Sequence, residues 1–250
     1  MYIDTHCHLL KEDFENIDEI IDKLENNYAI VSGAEIDNNK EVLDLIEKYP
    51  NLYGTIGLHP SEAIKYKDED IKFIEDNLNN KKIVGIGEIG LDYHYGKEDA
   101  NMQKELFIKQ LNLARKYKLP VTIHSRDALV DTYHIIKEYK DLKITYHCYS
   151  YSLEHAKELL KFNVKFGIGG VLTFKNSRVL KEVVEEIPLS NLLLETDSPY
   201  LAPEPVRGTK NIPSNVKFVA QKISEIKKIP YETVLKTTLE NALSQFDLKI

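Results

Sequence analysis

The sequence predicts a single (β/α)8 barrel, an α/β fold in which eight parallel strands alternate with helices. Two observations lead to this prediction. Short apolar runs rich in β-branched and aromatic residues alternate with longer polar stretches in which Leu, Ile and Val recur at helical spacing. This alternation is typical of a parallel sheet, and 250 residues is the usual length of one barrel. We therefore expect one domain over residues 1–250.

Eight runs have the composition of buried strands, and amphipathic stretches lie between them. The predicted strands begin with residues 2–3, 28–31, 52–56, 83–86, 121–123, 144–146, 164–168 and 192–194. The predicted helices cover residues 17–24, 42–49, 71–78, 106–117, 133–139, 156–160 and 179–187. A doubly wound open sheet is the alternative fold. Such a sheet usually carries a glycine-rich phosphate loop after its first strand, where this chain has His6, Cys7 and His8.

Composition limits the partners and the location that we expect. Lys and Arg number 33 against 40 Asp and Glu, so the net charge is −7 and a broad basic face for duplex DNA is not expected. Two cysteines are too few for a disulfide framework and are typical of a reducing cytoplasm. We see no signal-peptide pattern and no apolar run long enough to cross a membrane. Nothing in the sequence indicates an obligate protein partner.

Histidines and carboxylates collect at one kind of position, the carboxyl end of a predicted strand. These residues are His6, His8, His59, Glu88, His124, His147, Glu195 and Asp197. In a barrel these ends meet at one mouth, and packing alone gives no reason to prefer that rim. His6 and His8 are two apart on an extended segment, so both face one side while Cys7 faces the other. We interpret Cys7 and Cys148, which each follow a candidate ligand, as small buried residues.

Six of these residues form a candidate metal site. A lone His-x-His pair is equally well explained by a polar turn. Six donors on successive strand ends, however, are costly to bury unless they bind a metal. A catalytic zinc usually takes three protein ligands, so six donors indicate two ions. One division assigns His6, His8 and Asp197 to one ion and His124 and His147 to the other, with Glu88 bridging. Such ligands suit Zn, Mn, Co or Fe, and Mg where water completes its shell.

Six longer segments occur in order along nearly the whole chain. They read Asp-Thr-His-Cys-His at residues 4–8, Gly-Leu-His-Pro at 57–60, Gly-Glu-Ile-Gly-Leu-Asp-Tyr at 87–93, Ile-His-Ser-Arg-Asp-Ala at 123–128, His-Cys at 147–148 and Glu-Thr-Asp-Ser-Pro-Tyr-Leu-Ala-Pro at 195–203. In these segments the sequence resembles the TatD family of metal-dependent hydrolases, described as TatD-type deoxyribonucleases. The resemblance implies a barrel with a divalent-metal site that hydrolyses phosphodiester bonds of DNA, often from the 3′ end. The family's ligands fall on His6, His8, Glu88, His124, His147 and Asp197.

Two segments depart from the family pattern. The family usually reads His-Cys-Phe-Ser-Gly, where this chain has Tyr149 and Tyr151. It often reads Pro-His-Arg-Gly-Lys, where residues 205–210 read Pro-Val-Arg-Gly-Thr-Lys. The ligand positions are unchanged, so the departures concern the fit of the substrate at the rim.

Three residues are candidates for substrate binding. Arg126 lies two residues after His124, and Arg207 lies in the proline-rich loop after the last strand. Each guanidinium is suited to grip phosphate oxygens, and a solvated loop arginine is the alternative for both. His59 either hydrogen-bonds a phosphate or caps its loop. Asp92 is expected in a loop after Glu88, where it either orients a ligand or makes an ordinary turn.

These residues lead to the hypothesis of a two-metal phosphodiesterase that acts on single-stranded ends, and the resemblance implies that it is a 3′–5′ exodeoxyribonuclease. A hydroxide bridging the ions attacks phosphorus, Glu88 bridges the ions, and Asp197 accepts the proton of the nucleophile. Two other interpretations keep the metals. One is hydrolysis of an amide or of a carboxylic ester such as an aminoacyl ester, and the other is a metal-binding protein without catalysis. The last is disfavoured because unused charged ligands cost stability.

Overall fold

Residues 1–250 of the chain are described by a computed structural model. Eight strands form one sheet whose neighbours follow the order of the chain. The strand pairs are parallel, and a helix separates each strand from the next. This strand order and the intervening helices confirm the predicted α/β fold of the (β/α)8 barrel type. No helix combines the length and the hydropathy that crossing a bilayer requires.

The strands and helices have the following bounds. The strands are β1 (Ile3–Cys7), β2 (Tyr28–Ser32), β3 (Leu52–Ile56), β4 (Ile83–Asp92), β5 (Val121–Arg126), β6 (Ile144–Tyr146), β7 (Val164–Ile168) and β8 (Leu192–Leu194). The helices are α1 (Ile17–Asp22), α2 (Ile36–Lys48), α3 (Asp68–Asn77), α4 (Ala100–Tyr117), α5 (Leu129–Ile136), α6 (Leu153–Leu159), α7 (Arg178–Glu186), α8 (Val216–Lys227) and α9 (Tyr231–Gln245). Short 3-10 helices lie at Pro60–Glu62, Lys137–Tyr139, Gly170–Thr173, Leu189–Asn191 and Pro213–Asn215.

Strand β4 differs most from its prediction, because it continues to Asp92. Its backbone pairs with β5 over this stretch, with Asp92 opposite Arg126, after an irregularity between Ile86 and Ile89. Glu88 therefore lies inside β4, and the expectation that Asp92 lies in a loop is wrong. Glycines interrupt the segment, and glycines weaken the sequence pattern of a strand.

The internal contacts of the chain divide it into two compact units. The first unit comprises residues 1–31 and 148–250, and it includes α8 and α9, two helices that are not among those predicted. Helix α9 packs on β8, and Asn241 of α9 donates to the carbonyl oxygens of Leu189 and Leu192 at 2.8 Å each. These two bonds fix the end of the chain against the last strand.

The second unit comprises residues 32–147 and holds β3 to β6. Helix α4 packs on β4, and its buried side chains include Leu106, Phe107 and Leu111. Gln103, in the first turn of α4, also bonds the backbone of Asp92 and so joins the start of the helix to the carboxyl end of β4. The interpretation of residues 1–250 as a single domain stays a prediction.

Candidate metal centre

The first unit brings three predicted ligands together. His6 lies in β1, His8 directly after it, and Asp197 in the loop after β8. The two imidazole Nε2 atoms are 3.3 Å apart, and Asp197 Oδ1 lies 3.7 Å from that of His6 and 3.6 Å from that of His8. The three donor atoms thus face one point, as ligands of a single ion would. We call these three residues the first donor set.

Strand geometry explains why the two histidines face one another and Cys7 does not. Successive side chains of an extended segment point to opposite sides. Cys7 is fully buried, as predicted, and its thiol donates to the carbonyl oxygen of Ile30 at 3.4 Å. Burial, together with the charges of Asp4 and Asp197, raises the pKa of this thiol well above its ordinary value. Cys7 is therefore a structural residue and a poor nucleophile.

Asp4 connects β1 to the loop that carries Asp197. Its carboxylate is fully buried and accepts hydrogen bonds from the N–H of His6 (3.2 Å), the N–H of Thr196 (3.0 Å) and the hydroxyl of Thr196 (2.5 Å). Burial raises the pKa of Asp4 well above its usual range, while these hydrogen bonds oppose the rise. The N–H of Asp197 donates in turn to the carbonyl oxygen of His6 at 3.0 Å. Sequence reasoning missed this role, although Asp4 lies two residues before His6 and so faces the same side of β1 as the histidines.

The prediction that Cys148 is buried is wrong, since it is half-exposed. It follows β6 with a φ of 45°, so it has left the strand and strand alternation no longer sets its direction. Its N–H donates to Glu195 Oε1 at 2.6 Å. Glu195, the first residue after β8, is fully buried. Its hydrogen bond from the N–H of Cys148 therefore fixes the start of the loop that follows His147.

The second unit brings together the other three predicted ligands. Glu88 in β4 is buried, and its Oε1 lies 2.8 Å from His124 Nδ1. The same oxygen lies 3.7 Å from Nε2 of His147, which follows β6. We call Glu88, His124 and His147 the second donor set. His59 Nε2 is 4.0 Å from the same carboxylate oxygen, so His59 borders this set.

Asp92 lies within hydrogen-bond distance of the second ring nitrogen of His124. Its Oδ2 lies 3.1 Å from His124 Nε2, and its Oδ1 accepts from the N–H of His94 at 2.9 Å. Burial lowers the pKa of His124, but the hydrogen bonds to Asp92 and Glu88 outweigh it and raise that pKa to about 9. Burial raises the pKa of Asp92, but the hydrogen bonds from His124 and His94 bring it below its ordinary value. A carboxylate on the outer nitrogen is the usual way to orient a metal-binding imidazole.

His59 caps the 3-10 helix that begins at Pro60, which was one of its two predicted roles. Its Nδ1 accepts a hydrogen bond from the N–H of Ser61 at 3.2 Å and lies 3.0 Å from the Ser61 hydroxyl. An Nδ1 that accepts places the proton of a neutral ring on Nε2. The atom of His59 nearest Glu88 is then an N–H donor.

Both donor sets have the chemistry of a divalent-metal site. Each combines two imidazoles with a carboxylate, the mixture that Zn, Mn, Co and Fe prefer. In the first set every pair of donor atoms lies closer than 4.8 Å, with two of the three residues buried. Buried imidazoles and carboxylates at these distances need a shared cation or proton. The residues therefore fit the metals that the sequence predicts.

Comparison with known proteins identifies the family. The sequence profile described as TatD related DNase matches residues 3–247. The chain belongs to the TatD family. The metal-dependent hydrolase YabD of Bacillus subtilis, whose function is uncharacterized, is 40% identical over 98% of this chain and 99% of its own length. A second uncharacterized metal-dependent hydrolase, from Methanocaldococcus jannaschii, is 36% identical over 100% of this chain and 98% of its own.

A solved structure of the family has the same fold. The TatD homologue YjjV of Escherichia coli K12 matches with a TM-score of 0.92 and 30% sequence identity, covering 99% of this chain and 98% of that one. The predicted resemblance is thereby confirmed, and this TatD-family protein belongs among metal-dependent hydrolases.

The two arginines predicted to bind substrate lie in different surroundings in this TatD-family protein. Arg126 is the exposed last residue of β5, and its guanidinium lies 5.9 Å from the centre of the Tyr95 ring. Arg207 lies 4.2 Å from the centre of the Phe174 ring and 3.7 Å from a carboxylate oxygen of Glu204. Both therefore have an aromatic neighbour, while the substrate-binding role of each stays a prediction.

Buried carboxamides fix the backbone at Gly57 and Leu58, just before His59, and at Asp92, the last residue of β4. Asn39 bonds both the N–H and the carbonyl oxygen of Gly57, at 3.1 and 2.8 Å. Gln110 does the same for Leu58 (2.8 and 2.9 Å), and Gln103 for Asp92 (2.8 and 2.9 Å). Each carboxamide replaces a strand partner that the backbone lacks at these positions. Sequence reasoning missed all three, because 11 to 52 residues separate each carboxamide from the backbone that it bonds.

Replacing Gln110 with Met should lower the free energy of unfolding by about 2–4 kcal/mol, because the two buried backbone groups of Leu58 lose their partners. Urea denaturation measures this loss. The exposed Gln221→Met variant, with the same change of side chain, is the matched control and should stay within about 0.5 kcal/mol of the parent protein. Equal stability of the two variants would show that Gln110 does not hold Leu58.

Proposed function

We propose that this protein is a divalent-metal-dependent deoxyribonuclease, a 3′–5′ exonuclease of single-stranded ends. The observation that carries the proposal is the pair of imidazole–carboxylate donor sets, each formed in the carboxyl-terminal halves of parallel strands and in the loops that follow them. The family description as TatD related DNase supports the choice of DNA as substrate. The two free thiols support a cytoplasmic location.

Two divalent ions are proposed as cofactors. His6, His8 and Asp197 would hold one ion and His124 and His147 the other, with Glu88 shared between them. When bound, such ions polarise the phosphoryl group and lower the pKa of a coordinated water toward neutrality. Zn, Mn, Co and Mg are the candidates.

Protein groups around the ions would accept the proton of the attacking water and bind the phosphate. The Asp197 carboxylate, anchored through its N–H to the carbonyl oxygen of His6, is proposed to accept the proton of the attacking water. Arg126 and Arg207 are proposed to contact phosphate oxygens, since a guanidinium matches them bidentately. His59 is proposed to donate from Nε2 to the same phosphate, as the hydrogen bond to its Nδ1 favours.

Charge supports strand ends rather than long duplexes as the substrate. A net charge of −7 opposes a long contact with phosphates, whereas a strand end needs only a few local cations. Arg126, with the exposed ring of Tyr95 beside it, has the pairing of cation and aromatic ring that binds single strands.

A substrate panel tests the proposal. The purified protein is given single-stranded DNA, duplex DNA, RNA, a small phosphodiester, an amide and an aminoacyl ester, each with Mg, Mn, Co or Zn. We expect mononucleotides to be released from the 3′ end of single-stranded DNA, and chelation to stop their release. Turnover of the amide or ester alone would replace the proposal with the second interpretation. Metal binding without turnover of any substrate would favour the non-catalytic one.

A further inference from the structure

A cavity of about 360 Å³ opens beside the second donor set. His59 and Asp92 form the wall nearest the metal ligands, and Ile64 and Tyr95 form the outer wall. Both outer residues are strongly exposed, Tyr95 at 89% and Ile64 at 67%. Its volume is in the range of pockets that hold small organic ligands. The function proposed above uses Tyr95 only as the neighbour of Arg126 and assigns no ligand to the cavity itself.

The Tyr95 ring has two neighbours at the cavity mouth. The His94 ring meets it edge-on at 4.9 Å between ring centres, and His94 Nδ1 lies 3.0 Å from Asp127 Oδ2. The Arg126 guanidinium lies 5.9 Å from the Tyr95 ring centre. The exposed Tyr95 ring, beside the His94 imidazole and the Arg126 guanidinium, offers a planar surface on which another ring can stack.

The floor of the cavity is acidic and excludes one class of ligand. Asp92, Glu98 and Asp99 all line it, and Lys or Arg is absent from its lining. A phosphate or carboxylate placed there would face these carboxylates at short range, which is unfavourable. A flat, uncharged ring with amino groups would instead stack on Tyr95 and donate hydrogen bonds to the carboxylates. Adenine, guanine and cytosine have this combination of ring and amino donors.

We propose that this cavity is a nucleobase subsite, in which Tyr95 stacks on the base of the terminal nucleotide and the acidic floor keeps phosphates out. The inference rests on the proposed function, because it takes the substrate to be a nucleic acid. It is consistent with the proposed preference for strand ends, since a strand that continued through the cavity would bring its next phosphate against the carboxylates. Arg126, outside the cavity and 5.9 Å from the Tyr95 ring centre, is the cation proposed for a phosphate beside the stacked base.

A nucleoside probe tests the subsite without requiring hydrolysis. 2-Aminopurine deoxyriboside contains no phosphodiester, and its fluorescence falls when its base stacks on another ring. We expect saturable quenching by the metal-loaded protein, about tenfold weaker binding to Y95A, and retained binding to Y95F, which keeps the ring. Inorganic phosphate should compete poorly with the probe. Equal binding of the probe to Y95A and the parent protein, or no binding to either, would overturn the subsite.

A second measurement uses DNA and separates this inference from the proposed function. Two oligonucleotides are compared, one with a normal 3′ nucleotide and one whose terminal residue lacks a base. The parent protein should cleave the normal end with a lower KM, and Y95A should lose that difference. Equal cleavage of both ends by the parent protein would support the proposed nuclease function and contradict the nucleobase subsite. Binding of the probe through Tyr95 without cleavage of any DNA would support the nucleobase subsite and contradict the proposed nuclease function.

Discussion

Replacing Glu88 with Gln should abolish metal-dependent hydrolysis, lowering kcat/KM by more than about a hundredfold, the upper range found for residues that merely support a ligand. The Glu88 carboxylate is buried, and Oε1 lies 2.8 Å from His124 and 3.7 Å from His147. An amide has the same shape but no charge. The Glu88→Gln variant therefore loses the electrostatic attraction of the carboxylate for a divalent ion, and little water is present in this buried site to replace that attraction.

Metal content distinguishes a lost ligand from other causes of inactivity. We expect about two divalent ions per parent chain and fewer in Glu88→Gln, measured by elemental analysis after dialysis. Glu75→Gln is the matched control, because Glu75 pairs with Lys116 on the surface. The control should retain both metal and activity. A Glu88→Gln protein with full metal content and full hydrolysis would refute the assignment of Glu88 as a ligand.

Local sequence patterns predict much of the fold and of the candidate site. Period-two alternation places His6 and His8 on one side of β1, and the structure has their Nε2 atoms 3.3 Å apart. Parallel strands bring their carboxyl ends to one edge, so residues as distant in sequence as Glu88, His124 and His147 meet around one carboxylate oxygen. These features follow from short-range geometry and from the fold class.

The parts that sequence reasoning missed depend on long-range partners. Gln103 looks like any polar helical residue until its carboxamide is seen on the backbone of Asp92. The extension of β4 depends on pairing with β5, since its own residues are rich in glycine. Cys148 leaves the strand pattern through a positive φ, which alternation does not reveal. In each case tertiary contacts override the local pattern.

Replacing Asp4 with Ala should lower the free energy of unfolding by about 3–5 kcal/mol, a large share of the stability of an ordinary domain. Three buried donors lose their acceptor at once, namely the N–H of His6 and the N–H and hydroxyl of Thr196. Urea denaturation in EDTA measures the loss without a contribution from bound metal. The exposed Asp22→Ala variant in α1 is the control and should change stability by less than about 0.5 kcal/mol.

Replacing Asp4 with Asn separates the hydrogen bonds of the carboxylate from its bulk. Both N–H donors reach Oδ1, which the Asn carbonyl oxygen reproduces, whereas only the Thr196 hydroxyl reaches Oδ2. The Asn amide would donate to that hydroxyl, which already accepts from the N–H of Ser198. Asp4→Asn should therefore cost about 1–2 kcal/mol, less than Asp4→Ala. Because Asp4 also holds the backbone of His6, we expect metal affinity in calorimetric titration to fall in the same order. Equal metal affinity in all three proteins would mean that the first donor set does not depend on Asp4.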